Sequence, residues 1–118
     1  MRNKPVGRAV LISGLMLSSS VAFAQADIQK GKALYAQSCA SCHGADGKGG
    51  PVAAALNPKP RDLSDRAYMT GLKDQQVAEV IKKGGAAAGK SPLMPPFGGM
   101  LSDADVQNVI GYVRELAK

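Results

Sequence analysis

The chain holds one histidine, two cysteines and no tryptophan in 118 residues, and each scarcity closes off a class of chemistry. One histidine cannot serve both as a metal ligand and as the base of a serine hydrolase triad. Cys39, Cys42 and His43 also fall one donor short of a four-coordinate structural zinc site. Beyond residue 24 the aromatic side chains are Tyr35, Tyr68, Phe97 and Tyr112 only, too few to fill a core by themselves. No apolar run reaches the roughly 20 residues that a membrane-spanning helix needs. No stretch alternates in the two-residue period of a half-buried strand.

The first residues read as an export signal. Arg2, Lys4 and Arg8 form a positive start, an apolar run covers Ala9 to Leu17, and Ala22-Phe23-Ala24 supplies a small-x-small cleavage pattern. The expected organisation is a cleaved signal over 1–24 and a single domain over 25–118, exported to the periplasm. Ser18-Ser19-Ser20 interrupts the apolar run, which argues against an uncleaved anchor, and neither cysteine lies where a lipid would be attached. Residues 1–24 carry three of the fifteen basic groups and none of the nine acidic ones, so the formal charge of +6 falls to +3 without them. The remaining lysines are scattered and aromatics are sparse, which excludes a nucleic-acid-binding reading. A domain of about ninety residues has a marginal core and needs a staple.

Three helices are predicted. Asp27 to Cys39 has Asp27 as N-cap and Ile28, Gly31, Leu34, Tyr35 and Ser38 along one face. Gly31 in mid-helix costs about 1 kcal/mol relative to alanine, which points to another backbone passing close by. Asp74 to Lys83 carries the stripe Val77, Val80 and Ile81 and stops at Gly84. The last helix opens on Ser102, with Asp105 completing a capping box and Leu101 stapling against Val106. Val106, Val109, Ile110 and Val113 then follow at helical spacing. Between these, Gly44 to Pro60 and Gly85 to Gly99 read as long loops, which in so small a domain suggests wrapping around a cofactor. The fold class is all-α, with the N- and C-terminal helices crossing.

Cys39-Ala40-Ser41-Cys42-His43 is the attachment pattern of haem c. On one helical turn the two sulfurs point the same way, so both can form thioethers to one porphyrin, and His43 is aimed at the iron. A thioredoxin-like redox pair would expect strands around it, and none is legible. With His43 the only histidine, a bis-histidine iron is excluded. The sixth ligand is expected to be a methionine, and beyond the signal the candidates are Met69, Met94 and Met100. Met94 is favoured because Pro92, Pro95 and Pro96 stiffen its segment, and a metal ligand belongs on chain that is held rigid. Met100, beside Leu101, is expected to be occupied with packing.

These residues resemble the small class I cytochromes c over most of the chain after the signal. The likeness rests on Gly31 and Tyr35, Cys39 to His43, Gly44-Ala45-Asp46-Gly47-Lys48-Gly49, Pro51, Pro60-Arg61-Asp62-Leu63, Met94-Pro95-Pro96-Phe97 and Val109-Ile110-Gly111-Tyr112-Val113. The resemblance implies one covalently bound haem c, with His43 and Met94 as axial ligands and the Pro51 carbonyl accepting a hydrogen bond from the second ring nitrogen of His43. It also implies that Gly31 and Tyr35 meet Gly111 and Tyr112 at a helix crossing. The expected function is single-electron transport by a monomer that docks transiently on redox partner proteins, without enzymatic catalysis at the iron, nucleic acid or stable membrane insertion. A haem subunit of a larger periplasmic oxidoreductase is the alternative. A gas-binding haem sensor fits less well, because the four-helix gas-binding cytochromes carry the attachment motif near the C-terminus.

Overall fold

The computed structural model describes residues 24–118 and, before them, only positions 5, 7, 10 and 14. The signal expected over 1–24 therefore lies outside the described residues apart from these positions and Ala24. Five helices follow in order: α1 (Ile28–Ser38), α2 (Ala40–His43), α3 (Arg66–Thr70), α4 (Asp74–Lys83) and α5 (Asp103–Leu116). Single 3-10 turns stand at Ala53–Ala55 and Ala86–Ala88, and no strand occurs among the described residues.

The frame is the crossing of α1 and α5. Its α5 side buries Val106, Val109, Ile110 and Val113, the predicted stripe. Full burial of each such side chain is worth about 1.5–3 kcal/mol. Tyr35 on α1 is almost wholly buried and meets the Tyr112 ring edge to face, with centroids 5.2 Å apart. A Cβ on Gly31 would stand 1.9 Å from the Asn108 carbonyl oxygen, so only glycine lets the two backbones approach this closely. Gly111 instead faces Ile28 and Ala26, whose side chains would lie 2.7 and 2.8 Å from an added Cβ. Polar contacts then fix the register: the Asp27 backbone N–H donates to Asn108 Oδ1 (2.8 Å), and Lys30 Nζ pairs with Asp105 (2.6 Å).

Asp27 caps α1 by accepting from the Lys30 N–H, and Ser102 caps α5 by accepting from the Asp105 N–H. At this cap the Asp105 carboxylate also pairs with Lys30 of α1. The start of α4, unclear in sequence, is held from inside: the Gln76 side chain accepts from the Lys73 N–H (2.8 Å). The short α3 has no apolar period and was not predicted. It exists because the Asp65 carboxylate accepts from the Tyr68 N–H and Met69 sinks into the core. Arg114 joins this region to α5. Its guanidinium donates to the Met69 and Leu72 carbonyls and to Asp74 Oδ1, and so satisfies backbone acceptors where α3 ends and α4 begins.

Candidate functional site

The helix leading into the cysteine motif does not run straight through it. It ends at Ser38, Cys39 departs from helical geometry at φ −121°, and α2 restarts as a single turn. Both the Cys42 and the His43 N–H groups close that turn onto the Cys39 carbonyl, at 3.2 and 2.9 Å. Cys39, Cys42 and His43 are thus brought together on one turn, as the spacing predicts.

The turn is clasped from two sides. The buried Tyr35 hydroxyl donates to the Gly44 carbonyl at 2.6 Å. The glycine-rich loop folds back, with the Gly49 and Gly50 N–H groups donating to the His43 and Cys42 carbonyls at 2.7 and 2.9 Å. A Cβ on Gly50 would stand 2.2 and 2.3 Å from the Ser41 and Ala40 carbonyl oxygens, so this return requires glycine. The loop is continued by a bond from the Leu63 N–H to the Gly47 carbonyl (2.8 Å).

The return path places the Arg61 carbonyl 3.2 Å from His43 Nδ1. This corrects the expectation for Pro51. Pro51 is exposed in the turn just beyond Gly50, and ten further residues of chain must pass before a carbonyl faces the imidazole. A carbonyl can only accept, so Nδ1 carries the hydrogen and Nε2 keeps its lone pair. Burial also holds the imidazole pKa below its ordinary value, against the smaller opposing effect of the Arg61 bond. His43 is therefore a neutral ring with Nε2 ready to ligate a metal.

Cys39 and Cys42 are half-buried free thiols. Burial, and secondarily the neighbouring Cys42, pushes Cys39 up to about 11. A dithiol built for disulfide exchange lowers the pKa of its attacking sulfur, so this environment is wrong for a redox pair. It suits two sulfurs held ready for thioether bonds. Among the described residues no group of three or more His, Cys, Asp or Glu side chains could hold a bare metal ion. The residues present fit a porphyrin that brings its own four nitrogens.

The three methionines occupy different settings. Met69 is 2% exposed in the core, packed among the helices, and its carbonyl is held by Arg114. Met100 is 70% exposed, so the packing role expected for it is not found: the Phe97 carbonyl accepts from both the Met100 and Leu101 N–H groups, and this turn sends Met100 outward while Leu101 packs on the core. Met94 is half-buried against the core on a loop stitched to the end of α4. The Gly85 N–H donates to the Met94 carbonyl (3.0 Å), Phe97 to Ile81 (2.9 Å) and Gly98 to Lys82 (3.0 Å). The prolines alone do not fix the loop; backbone hydrogen bonds do. Neither the Arg61 carbonyl nor these clasps carries a side-chain signal in the sequence. Arg114 could have been found, because it continues the apolar face of α5 between Val113 and Ala117.

A model of the family described as cytochrome C oxidase, cbb3-type, subunit III matches residues 26–113. Cytochrome c6 of Picosynechococcus sp. is 35% identical over 99 residues, covering 79% of this chain and 76% of that protein. The cbb3-type cytochrome c oxidase subunit FixP of Azorhizobium caulinodans is 36% identical over 91 residues. That match covers 75% of this chain but 29% of the subunit, so the chain spans less than a third of that relative's length. Among solved structures, the KustC0563 c-type cytochrome superposes with a TM-score of 0.62 at 28% identity, covering 75% of this chain and 98% of that one. The chain belongs to the class I cytochromes c as a small member with one covalently bound haem c.

Proposed function

We propose that the protein is a diffusible periplasmic electron carrier whose haem c is held through Cys39 and Cys42 and ligated by His43 and Met94. Bound there, the haem iron supplies a one-electron couple, and a histidine and methionine pair raises its potential relative to other axial sets. The observation that carries the reading is the Arg61 carbonyl 3.2 Å from His43 Nδ1, which takes up that nitrogen's hydrogen and leaves the Nε2 lone pair for the metal. The chain's part is to keep both ligands in place in either oxidation state. The clasp on α2 serves the histidine side, and the bonds from Gly85, Phe97 and Gly98 serve the methionine side. Two retained protein ligands leave no open position for a substrate, which favours transport over catalysis. No helix among the described residues is long and apolar enough to cross a membrane. Without residues 1–24 the charge is +3, and two haem propionates bring it near +1, so long-range steering is weak and docking depends on a small, short-lived contact.

The test is Met94→Ala in the holoprotein. It should abolish the weak sulfur-to-iron absorption at the red end of the oxidised spectrum and lower the potential. Loss of that absorption in Met100→Ala, with its retention in Met94→Ala, would sink the assignment. The match to oxidase subunits favours one second reading, a haem subunit held in a larger oxidoreductase. Size-exclusion chromatography of native extract separates the two: a carrier elutes at the size of this chain, a subunit with its complex.

A further inference from the structure

Tyr68 joins the loop that carries Met94 to the segment that orients His43, and nothing in the attachment chemistry requires it. The Arg61 guanidinium, on the residue whose carbonyl accepts from His43, stacks over the Tyr68 ring with its carbon 3.8 Å from the centroid. Asp65 holds that arrangement from below, pairing with Arg61 at 3.3 Å and accepting from the Tyr68 N–H at 3.0 Å. On the other side, Lys90 Nζ donates to the Tyr68 hydroxyl at 3.1 Å. The Lys90 N–H donates to the Gly85 carbonyl at 2.7 Å, and the Gly85 N–H donates to the Met94 carbonyl at 3.0 Å. A continuous path of contacts therefore runs from His43 through Arg61, Tyr68, Lys90 and Gly85 to Met94.

We propose that Tyr68, gripped between Arg61 and Lys90, is a positioning residue that ties the Met94 loop to the segment orienting His43. The proposal rests on the reading of Met94 as sixth ligand. Other bonds hold the loop from the helix side: Phe97 and Gly98 pin its C-terminal half to α4, and Gly85 pins the Met94 carbonyl to the end of the same helix. Lys90 is the side chain that reaches from this loop to α3. Without the grip the loop would lean on α4 alone, and the methionine would yield the iron more readily to an external ligand.

Imidazole, which competes with a methionine for oxidised haem iron, reads this directly in the holoprotein. Tyr68→Phe keeps the stack and removes the hydroxyl, so imidazole affinity should rise about threefold, the scale of one partly exposed charge-assisted hydrogen bond. Tyr68→Leu removes the stack as well and should raise it about tenfold. Lys90→Gln removes the same hydrogen bond together with the Lys90 charge 5.8 Å from the Tyr68 ring centroid, so its effect should be at least that of Tyr68→Phe, and the double variant should not exceed Lys90→Gln alone. Helical circular dichroism should not change in Tyr68→Phe or Lys90→Gln, and these two decide the matter where Tyr68→Leu does not fold. Wild-type imidazole affinity in both, or effects that simply add in the double variant, would overturn the proposal. Met94→Ala keeps the two ideas apart. Survival of the sulfur-to-iron absorption in Met94→Ala defeats the ligand reading itself, whereas its loss there alongside unchanged imidazole affinity in the Tyr68 and Lys90 variants defeats only the grip.

Discussion

The α1–α5 crossing and the two long loops that pack beside α2 and carry Met94 are held by different forces. The crossing is side-chain packing: Tyr35 against Tyr112, the valine and isoleucine stripe, and a glycine that lets backbones touch. The loops, 44–65 and 84–101, are backbone clasped on backbone, Gly49 and Gly50 to α2, Gly85, Phe97 and Gly98 to the Met94 loop and the end of α4. Packing supplies stability and is tolerant in detail, whereas clasps fix the position of single atoms. The proposed pair of ligands, one nitrogen and one sulfur, would rely on the second kind of contact and use the first as its foundation.

Substitutions at the two kinds of contact should therefore fail differently. Gly50→Ala should have the largest effect, because the added methyl collides with two carbonyls of the motif turn and the loop cannot return. Holoprotein yield should collapse, and the residue recovered should be less stable by more than about 3 kcal/mol in denaturant unfolding. Gly31→Ala strikes the packing region instead. The helix gains propensity, but a methyl carbon 1.9 Å from the Asn108 carbonyl oxygen pushes the two helices apart, and the net loss should reach about 3 kcal/mol with the haem spectrum of surviving protein unchanged. A changed spectrum there would mean that the two regions are less separate than described.

Arg114→Leu removes charged donors from the Met69 and Leu72 carbonyls and should cost about 2 kcal/mol, measured as a lower denaturant midpoint. Asp105→Asn should have the smallest effect of the series, because its Lys30 partner is half exposed. Asp105 is held below the ordinary carboxylate pKa, first by Lys30 and then by Ser102, so its contribution is present above that ordinary value and is lost as pH falls through the depressed one. The difference between Asp105→Asn and wild type should accordingly vanish in acid and shrink with added salt.

The same division explains what could be read from the sequence. The crossing was legible because burial imposes a period: Val106, Val109, Ile110 and Val113 announce α5, and Gly31 announces the close approach. The turn that brings Cys39, Cys42 and His43 together was legible because those residue types stand at fixed spacing. Arg61 as the acceptor for His43 was not legible, since any residue offers a carbonyl and the fold alone decides which one arrives. The helix α3 escaped for a related reason, being made by one Asp65 cap and one buried methionine rather than by a pattern. Met100 turns outward while its neighbour Leu101 packs, a difference that two adjacent apolar residues do not signal.

The central claim is that this fold holds a six-coordinate haem for one-electron transfer, and a spectroelectrochemical titration of the purified holoprotein at neutral pH tests it most directly. The account predicts a single one-electron wave between two low-spin states, with the sulfur-to-iron absorption present when oxidised and no carbon monoxide complex when reduced. A high-spin, five-coordinate reduced form that takes up carbon monoxide without denaturant would contradict it.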